Sequence, residues 1–237
     1  MRIVVHNLTR MQKGCMCVAG IDLDTHLHVR PVLDRDLPID LLSIHGGPFD
    51  IGRVIDLGET RFVGKVPEVE DQWVDVNAAR HVGDMPEQEF QDLIETMATR
   101  KLGAIFGPDL QLLGSTCVVL ETYGLRSLGC YWTIDGCLFC DDGPSHRRVR
   151  FSFQSGAYAF TVPVTDLRLY GDDHVTPCKE TIDRLAAQIA MMPRVLVGVS
   201  LSRPYRRSAD EPFRHWLQVN NFHLPDNPFW QLMDHLS

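Results

Sequence analysis

The sequence lacks long apolar runs. No stretch of its 237 residues approaches the ~18 consecutive apolar residues that a membrane-spanning helix needs. The amino terminus offers only Ile3-Val4-Val5 before polar residues intervene, whereas a secretory signal requires a longer apolar region. We therefore expect a protein without a membrane partner.

Cysteine is present, but not in a pattern that suits a disulfide framework. The seven cysteines are an odd number and are unevenly spaced. The chain is also large enough, with 44% hydrophobic residues, to fold around a core without disulfides. This usage favours a reducing compartment, so we expect a cytoplasmic location.

Positive charge is not in excess. The net charge is −8 and the pI is near 5.6, which argues against non-specific coating of duplex DNA, because Lys and Arg supply that binding. Arginine is nevertheless concentrated at residues 147–150 and 203–214. An acidic protein can hold a local basic groove; the alternative is that these arginines balance neighbouring acids on a solvated face.

Catalytic signatures are missing as well. The sequence has no nucleophile elbow, no Walker loop and no GxGxxG motif, so no catalytic residue is predicted and binding is favoured over catalysis. One alternative is a metal-dependent phosphodiester hydrolase that uses Asp166, Asp172, Asp173 and His174. Acid-rich turns are also common without a metal, since Asp hydrogen-bonds its own backbone there.

What the sequence does have is a dominant β pattern. Nine short segments are rich in Val, Ile, Leu or aromatic residues and are bounded by turn-forming residues. They are residues 2–8, 15–22, 27–33, 53–57, 116–122, 148–154, 157–163, 194–201 and 215–223. Two further segments have helical spacing, one from Asp84 to Gly103 and one from Thr176 to Pro193. The predicted fold is mainly β with two helices, a β-rich α+β class.

One short pattern occurs near both ends of the chain. An apolar strand runs into Leu8-Thr9-Arg10, another runs into Leu201-Ser202-Arg203, and each is followed by a polar turn and a second apolar strand. A hydroxyl and a guanidinium at the start of a hairpin loop suit a phosphate-sized anion. Two comparable hairpins indicate duplicated β units. We predict an N-terminal half at residues 1–106 and a C-terminal half at residues 107–237, with strands that can cross between them.

Several phrases along the chain resemble the dual OB-fold domain family of bacterial conflict and mobile-element loci. They are Asn7-Leu8-Thr9-Arg10, Cys17-Val18-Ala19-Gly20-Ile21-Asp22, Arg30-Pro31-Val32, Gly46-Gly47-Pro48-Phe49, Val149-Arg150-Phe151, Pro163-Val164-Thr165-Asp166, Ser200-Leu201-Ser202-Arg203-Pro204 and Gln218-Val219-Asn220. The resemblance implies two adjacent OB-like small β-barrels and a role in binding nucleic acid or nucleotides. It does not imply a known catalytic mechanism.

OB barrels bind single strands by stacking bases on aromatic side chains while a basic groove follows the backbone. On this basis the residues expected to contact phosphate are Arg10, Lys13, Arg203, Arg206 and Arg207, and those expected to stack on bases are Tyr205 and Trp216. The second copy of the repeated pattern has more of these side chains than the first. It is therefore the copy that we expect to bind.

One spacing resembles a metal site. Cys137-Leu138-Phe139-Cys140 could form a zinc set with Cys130 and His146, but the spacing matches no strong template. The alternative is small buried thiols in a strand and a turn, and no cofactor is predicted. The acidic segment at residues 68–71 is expected to be a solvated loop.

The function predicted from these features is non-catalytic binding of single-stranded nucleic acid or a nucleotide. The resemblance implies a role as an accessory component of a bacterial defence or mobile-element system. An alternative, favoured by the acidic balance, is a protein-interaction subunit that docks an effector enzyme.

Overall fold

The computed structural model describes residues 1–12, 14–142 and 147–224 of the chain. Within these ranges the protein has sixteen strands and three α-helices. The strands form two curled half-barrel sheets, one from each half of the chain. The class predicted from the sequence, mainly β with two OB-like units, is confirmed.

The first sheet holds the first eight strands. They are β1 (Arg2–Arg10), β2 (Cys15–Asp22), β3 (His28–Val32), β4 (Leu37–Pro38), β5 (Arg53–Asp56), β6 (Thr60–Phe62), β7 (Asp71–Val74) and β8 (Arg80–Asp84). Their order across the sheet is β6-β7-β3-β2-β1-β5-β8, and β4 pairs with β2. The β3–β7 pair is parallel and the others are antiparallel.

The second sheet holds the other eight strands. They are β9 (Ala98–Thr99), β10 (Gln111–Leu113), β11 (Thr116–Leu120), β12 (Leu128–Asp142), β13 (Arg147–Ser155), β14 (Tyr158–Pro163), β15 (Arg194–Leu201) and β16 (Arg214–His223). Their order is β10-β11-β16-β15-β12-β13-β14, and β9 pairs in parallel with β12. We refer to the parts of the chain that carry β1–β8 and β9–β16 as the first and second halves.

All nine segments predicted as strands are strands, but seven others were missed. Six of these are short, with two to five residues each. The seventh, β12, has fifteen residues and lies at the centre of the second sheet between β15 and β13. Gly129, Asp135 and Gly136 interrupt its apolar pattern, and a register shift between Ile134 and Cys137 accommodates the interruption.

The helices are α1 (Glu87–Met97), α2 (Leu102–Phe106) and α3 (Lys179–Ala190). Helix α1 ends before the predicted Gly103, because the chain turns into β9 and pairs with β12. The expectation of two helices was therefore one short. Helices α1 and α3 each pack an apolar face on a core, as their spacing predicts. No helix in the described ranges has the length and apolarity needed to cross a membrane.

Two hydrophobic clusters form the core. The first cluster is built mainly from the first half and the second cluster from the second half, and some side chains of one half pack in the cluster of the other. Cys130, Leu167 and Leu196 of the second half are buried in the first cluster. Helix α2, which follows β9, packs into the second cluster. The boundary after residue 106 and the crossing of strands between the halves stay predictions. At the seam, the Leu8 amide donates to Asn221 Oδ1 at 2.7 Å and the Arg10 amide to the Thr165 carbonyl at 2.8 Å.

Candidate functional site

The two copies of the repeated pattern meet at one cleft. The cleft has a volume of about 690 Å³ and lies between the halves. Thr9 and Arg10 line it from the first hairpin, β1–β2, and Ser202 and Arg203 line it from the second hairpin, β15–β16. Two segments almost 200 positions apart in sequence therefore face the same space.

The two hairpins have equivalent places in their sheets. Strand β1 lies between β2 and β5, and β15 lies between β16 and β12. Leu8 pairs with Val18 and Leu201 pairs with Leu217. Each hairpin also has a β-bulge, although on different strands: His6 is the extra residue on β1, and Asn220 is the extra residue on β16. A bulge bends the strand that carries it.

Each repeated arginine reaches across to the other half. The guanidinium of Arg10 lies over the ring of Tyr170, 4.7 Å from its centroid, and burial raises the pKa of this tyrosine to about 12. One terminal nitrogen of Arg203 lies 2.7 Å from Glu68 Oε1 in an ion pair and donates a hydrogen bond to Asp71 Oδ2 at 3.0 Å. Burial would lower the pKa of Arg203, but the attraction of Asp71 and Glu68 outweighs it and raises this pKa.

The acidic segment at residues 68–71 is not a solvated loop, so that prediction was wrong. Glu68, Glu70 and Asp71 are all buried. Glu70 accepts hydrogen bonds from the Ser127 amide at 2.9 Å and hydroxyl at 2.8 Å, and Asp71 pairs with both Arg30 and Arg203. These carboxylates are held because each has a cation or donors beside it, which buried charges require.

The loop of the second hairpin, residues 202–213, carries alternating aromatic and guanidinium groups. Tyr205 stacks on Trp216 with ring centroids 5.5 Å apart. Arg207 lies over Trp216 at 3.7 Å, and Arg206 lies over Phe213 at 5.0 Å. Tyr205 is 46% exposed and Trp216 is 3% exposed. Trp216 therefore supports Tyr205 from below, and Tyr205 is the ring that faces solvent.

The lining of the cleft carries charges of both signs. It includes four arginines, Arg10, Arg30, Arg35 and Arg203, and two aspartates, Asp34 and Asp36. Arg30 is buried against Asp71, and Arg203 is paired with Glu68 and Asp71, whereas Arg35 is exposed in the connection between β3 and β4. Arg10 and Arg35 stand outside these ion pairs.

Asn7 and Asn220 contribute buried amides to the cleft lining. Asn7 is 1% exposed, and neither polar atom of its side chain makes a hydrogen bond of normal geometry. The amide lies beside His6 and acts to raise the pKa of that histidine, but burial, His28 and His223 outweigh it and lower this pKa. Asn220 donates to Thr165 Oγ1 at 3.0 Å, while its Oδ1 has no partner. A Cβ on Gly198 would lie 2.1 Å from Asn7 Oδ1, so this glycine makes room for the Asn7 amide.

Three buried histidines lie close together across the seam. His28 Nδ1 is 3.1 Å from His6 Nε2, and the rings of His6 and His223 are 6.2 Å apart. Burial lowers the pKa of His28 to about 4, with a contribution from Arg126, and that of His223 to about 3, with a contribution from Arg168. Burial, His28 and His223 together lower the pKa of His6. These rings are therefore neutral at physiological pH.

The three cysteines considered for zinc, all within the described residues, do not converge. Cys137 and Cys140 are three residues apart on β12, so their side chains point to opposite faces of the strand. Cys137 is exposed and Cys130 is buried in the first core cluster. His146 is outside the described residues, as is Lys13 among the expected phosphate contacts. In the described part of the chain no group of three or more His, Cys, Asp or Glu side chains has the geometry to hold a metal.

Two of the three acids proposed for phosphodiester hydrolysis, Asp166 and Asp173, have structural partners. The buried Asp166 carboxylate pairs with the Arg168 guanidinium at 2.7 and 2.9 Å and accepts from the Phe222 amide. Asp173 caps the turn that follows it, and its pKa is lowered to about 2 by hydrogen bonds from Thr176 and Val175. His174 lies beside His45 of the first half. A metal-dependent hydrolase at these residues is not supported.

Several cleft residues were not predicted from the sequence. Arg30 and Asn7 lie inside strands that were recognised, but a polar residue in such a strand is normally assigned to the solvated face. Arg35 is in a connection without a motif. The one available signal was Asn7 itself, an amide within a strand whose neighbours on both sides are apolar or aromatic.

A model of the dual OB-containing domain family matches residues 1–222. A solved structure described as a murine DNA binding protein bound with double-stranded DNA is similar over 92% of this chain and 91% of that chain, with 8% sequence identity and a TM-score of 0.31. A TM-score this low has no bearing on the ligand. No curated protein sequence matches the chain.

Proposed function

Because the chain belongs to the dual OB-containing domain family, we propose that it is a non-catalytic binding protein that holds single-stranded nucleic acid or a nucleotide in the cleft between its halves. The observation that carries this proposal is the convergence of the two hairpins on one cleft lined by four arginines. An exposed tyrosine, Tyr205, also lines the cleft, backed by Trp216. Aromatic stacking beside a basic groove is how OB-type surfaces bind single strands.

The arginines have different roles in this proposal. Arg203 is committed to Glu68 and Asp71, so it shapes the cleft and holds the halves together. Arg35, Arg206 and Arg207 are exposed and are the side chains we propose for phosphate contacts, while Arg10 lines the cleft beside Tyr170. Tyr205 is the proposed stacking residue, with Trp216 as its support.

The test is fluorescence anisotropy of labelled single-stranded DNA and RNA across a salt series. We expect affinity to fall with salt, because phosphate binding releases counterions. Tyr205→Ala should weaken binding by about tenfold, since loss of one stacked base costs ~1–3 kcal/mol. Arg35→Ala should reduce the salt slope by about one.

Matched controls are available away from the cleft. Tyr158 on β14 and Arg184 on α3 are both exposed and do not line it, so Tyr158→Ala and Arg184→Ala should bind like the wild type. Absence of binding at low salt, or equal losses in the cleft and control variants, would overturn the proposal.

The wider setting proposed is an accessory role in a bacterial defence or mobile-element system, in the cytoplasm. The likeness to proteins of such loci supports the first part, and the seven free cysteines support the second. A specific observation also favours a second candidate function, docking of an effector protein. Phe62, on the edge strand β6, is 60% exposed, and Val66 and Val69 near it are also exposed.

The docking candidate is tested by affinity purification of the whole chain from its native host. We expect a stoichiometric protein partner that is lost in Phe62→Asp and retained in Tyr205→Ala. A partner retained equally by both variants would contradict docking at β6.

A further inference from the structure

Equivalent positions of the two hairpins carry different side chains inside the cleft. In the first hairpin Asn7 pairs with Ala19, and in the second Ser200 pairs with Gln218. All four residues line the cleft. The comparison therefore concerns matched positions that face the same space.

In the second hairpin the two polar side chains, Ser200 and Gln218, form a hydrogen bond with each other. Gln218 Nε2 donates to Ser200 Oγ at 2.9 Å. In the first hairpin the residue opposite Asn7 is an alanine, whose methyl group can neither donate nor accept. The Asn7 amide therefore keeps one donor and one acceptor without a hydrogen bond of normal geometry.

A buried amide that makes no hydrogen bond of normal geometry is unfavourable for folding. Buried polar groups are almost always hydrogen-bonded, and one without partners destabilises the fold. An apolar side chain at position 7 would avoid this, since its neighbours in β1 are buried and mainly apolar. Asn220 Oδ1, in the same lining, is a second buried acceptor without a partner. The free groups are thus one donor and two acceptors.

We propose that the cleft takes one nucleobase whose Watson–Crick edge carries an amino group beside an acceptor ring nitrogen, adenine or cytosine, and that Asn7 reads it. This inference rests on the proposed function. Asn7 Oδ1 accepts one amino hydrogen and Asn7 Nδ2 donates to a ring nitrogen. Asn220 Oδ1 accepts the other amino hydrogen. In duplex DNA an asparagine amide binds adenine in a bidentate manner through N6 and N7, and the Watson–Crick edge offers the same pairing of an amino group with an acceptor nitrogen.

The rest of the cleft suits a nucleotide. Its volume of about 690 Å³ is in the range of small-molecule sites. Arg10 Nε and one terminal nitrogen of Arg30 also lack hydrogen-bond partners, which leaves donors for the sugar and the phosphate. Tyr205 lies in the same lining, where it can stack on an adjacent base.

The test compares bases that differ at the edge in question. Inosine replaces the adenine amino group with a carbonyl oxygen, and uracil replaces that of cytosine. We expect wild-type protein to bind oligo(dA) about tenfold more tightly than oligo(dI), and oligo(dC) more tightly than oligo(dU), because one good bidentate contact discriminates by this amount. Asn7→Ala and Asn7→Leu should bind all four with equal affinity.

Asn221→Ala is the matched control. Asn221 is a buried asparagine in the same seam, does not line the cleft, and accepts a hydrogen bond from the Leu8 amide. This variant should have a lower Tm and unchanged discrimination. Equal binding of all four oligonucleotides by the wild type, or discrimination that survives both Asn7 variants, overturns the base-reading role and leaves the proposed function intact. Failure of the wild type to bind any of them overturns both.

Discussion

The first and second hairpins share a sequence pattern and a place in their sheets, but they differ in how far the repeated residues and the loop after them are exposed to solvent. Thr9 is buried and Arg10 lies over Tyr170, and the turn that follows is short. Ser202 and Arg203 instead open a loop of twelve residues that brings Tyr205 to the surface. The first hairpin thus supplies the floor of the cleft and the second its rim.

The two comparable hairpins therefore contribute to the cleft in different ways. Both arginines reach across the seam, but Arg10 has an aromatic partner and Arg203 has two buried carboxylates. The sequence-based expectation named both arginines as phosphate ligands and favoured the second copy for binding. Both arginines contact the other half of the chain, and the second hairpin carries the longer, exposed loop.

The largest effect expected is on Arg203. Arg203→Ala should lower the free energy of unfolding by about 3 kcal/mol, because it removes the cation beside the buried Glu68, and uncompensated buried charges cost this much. Urea denaturation measures the change. Arg206→Ala, in the exposed loop over Phe213, should change stability by less than about 0.5 kcal/mol. Similar losses in both variants would show that Arg203 does not hold the seam.

Gly198→Ala tests the contact between the two hairpins. The added methyl group would overlap Asn7 Oδ1, and overpacking of this kind costs about 2 kcal/mol. Gly103→Ala is the control, because Gly103 lies in α2 with open space around it. Thermal unfolding should separate the two. A Gly198→Ala protein as stable as the control would mean that Asn7 does not rest on β15.

The histidines beneath the first hairpin predict a pH dependence. The folded-state pKa of His28 is about 4, below the unfolded value near 6.5, so the unfolded state takes up the proton first and stability falls as pH falls from about 6.5 toward 4. For His28 alone the loss between pH 7.5 and pH 5 is roughly 2 kcal/mol.

Urea midpoints at several pH values check this dependence. In His223→Leu the decline should be shallower, because one low-pKa ring is removed from the cluster. A stability that is flat from pH 7.5 to pH 5 would contradict the buried, neutral state of these rings.

Among the substitutions at the seam, the smallest loss of stability is expected for Arg10. Arg10→Ala removes a cation–π contact with Tyr170, worth about 1 kcal/mol. Calorimetry should place its Tm between those of Arg206→Ala and Arg203→Ala. A Tm below that of Arg203→Ala would reverse the comparison between the two copies.

Much of the fold followed from local sequence pattern. The nine predicted strands have continuous apolar or alternating runs, and the repeated tripeptide marked the two hairpins that meet at the cleft. Strand β12 was missed because Asp135 and two glycines break its pattern, and its stability comes from pairing with β13 and β15 on either side. Pairing with strands distant in sequence cannot be inferred from local β propensity.

The site was harder to predict for the same reason. Glu68 and Asp71 looked like part of a solvated loop because the arginine that neutralises them is more than 130 positions away. In sequence Asn7 resembles an ordinary strand residue, and only the pairing of strands places Ala19, which cannot hydrogen-bond it through its side chain, opposite it. The charge or hydrogen-bonding state of a buried group depends on its spatial neighbours, and these come from the other half of the chain.

The hydrogen bond from the Leu8 amide to Asn221 joins the first strand to the last, and this has a consequence for biosynthesis. Gln218 and Asn220, on β16, form part of the cleft wall. A nascent chain that stops before residue 214 therefore has the first copy of the pattern but no cleft. The proposed ligand binding therefore requires β16, and a product that ends before residue 214 should not bind the ligand.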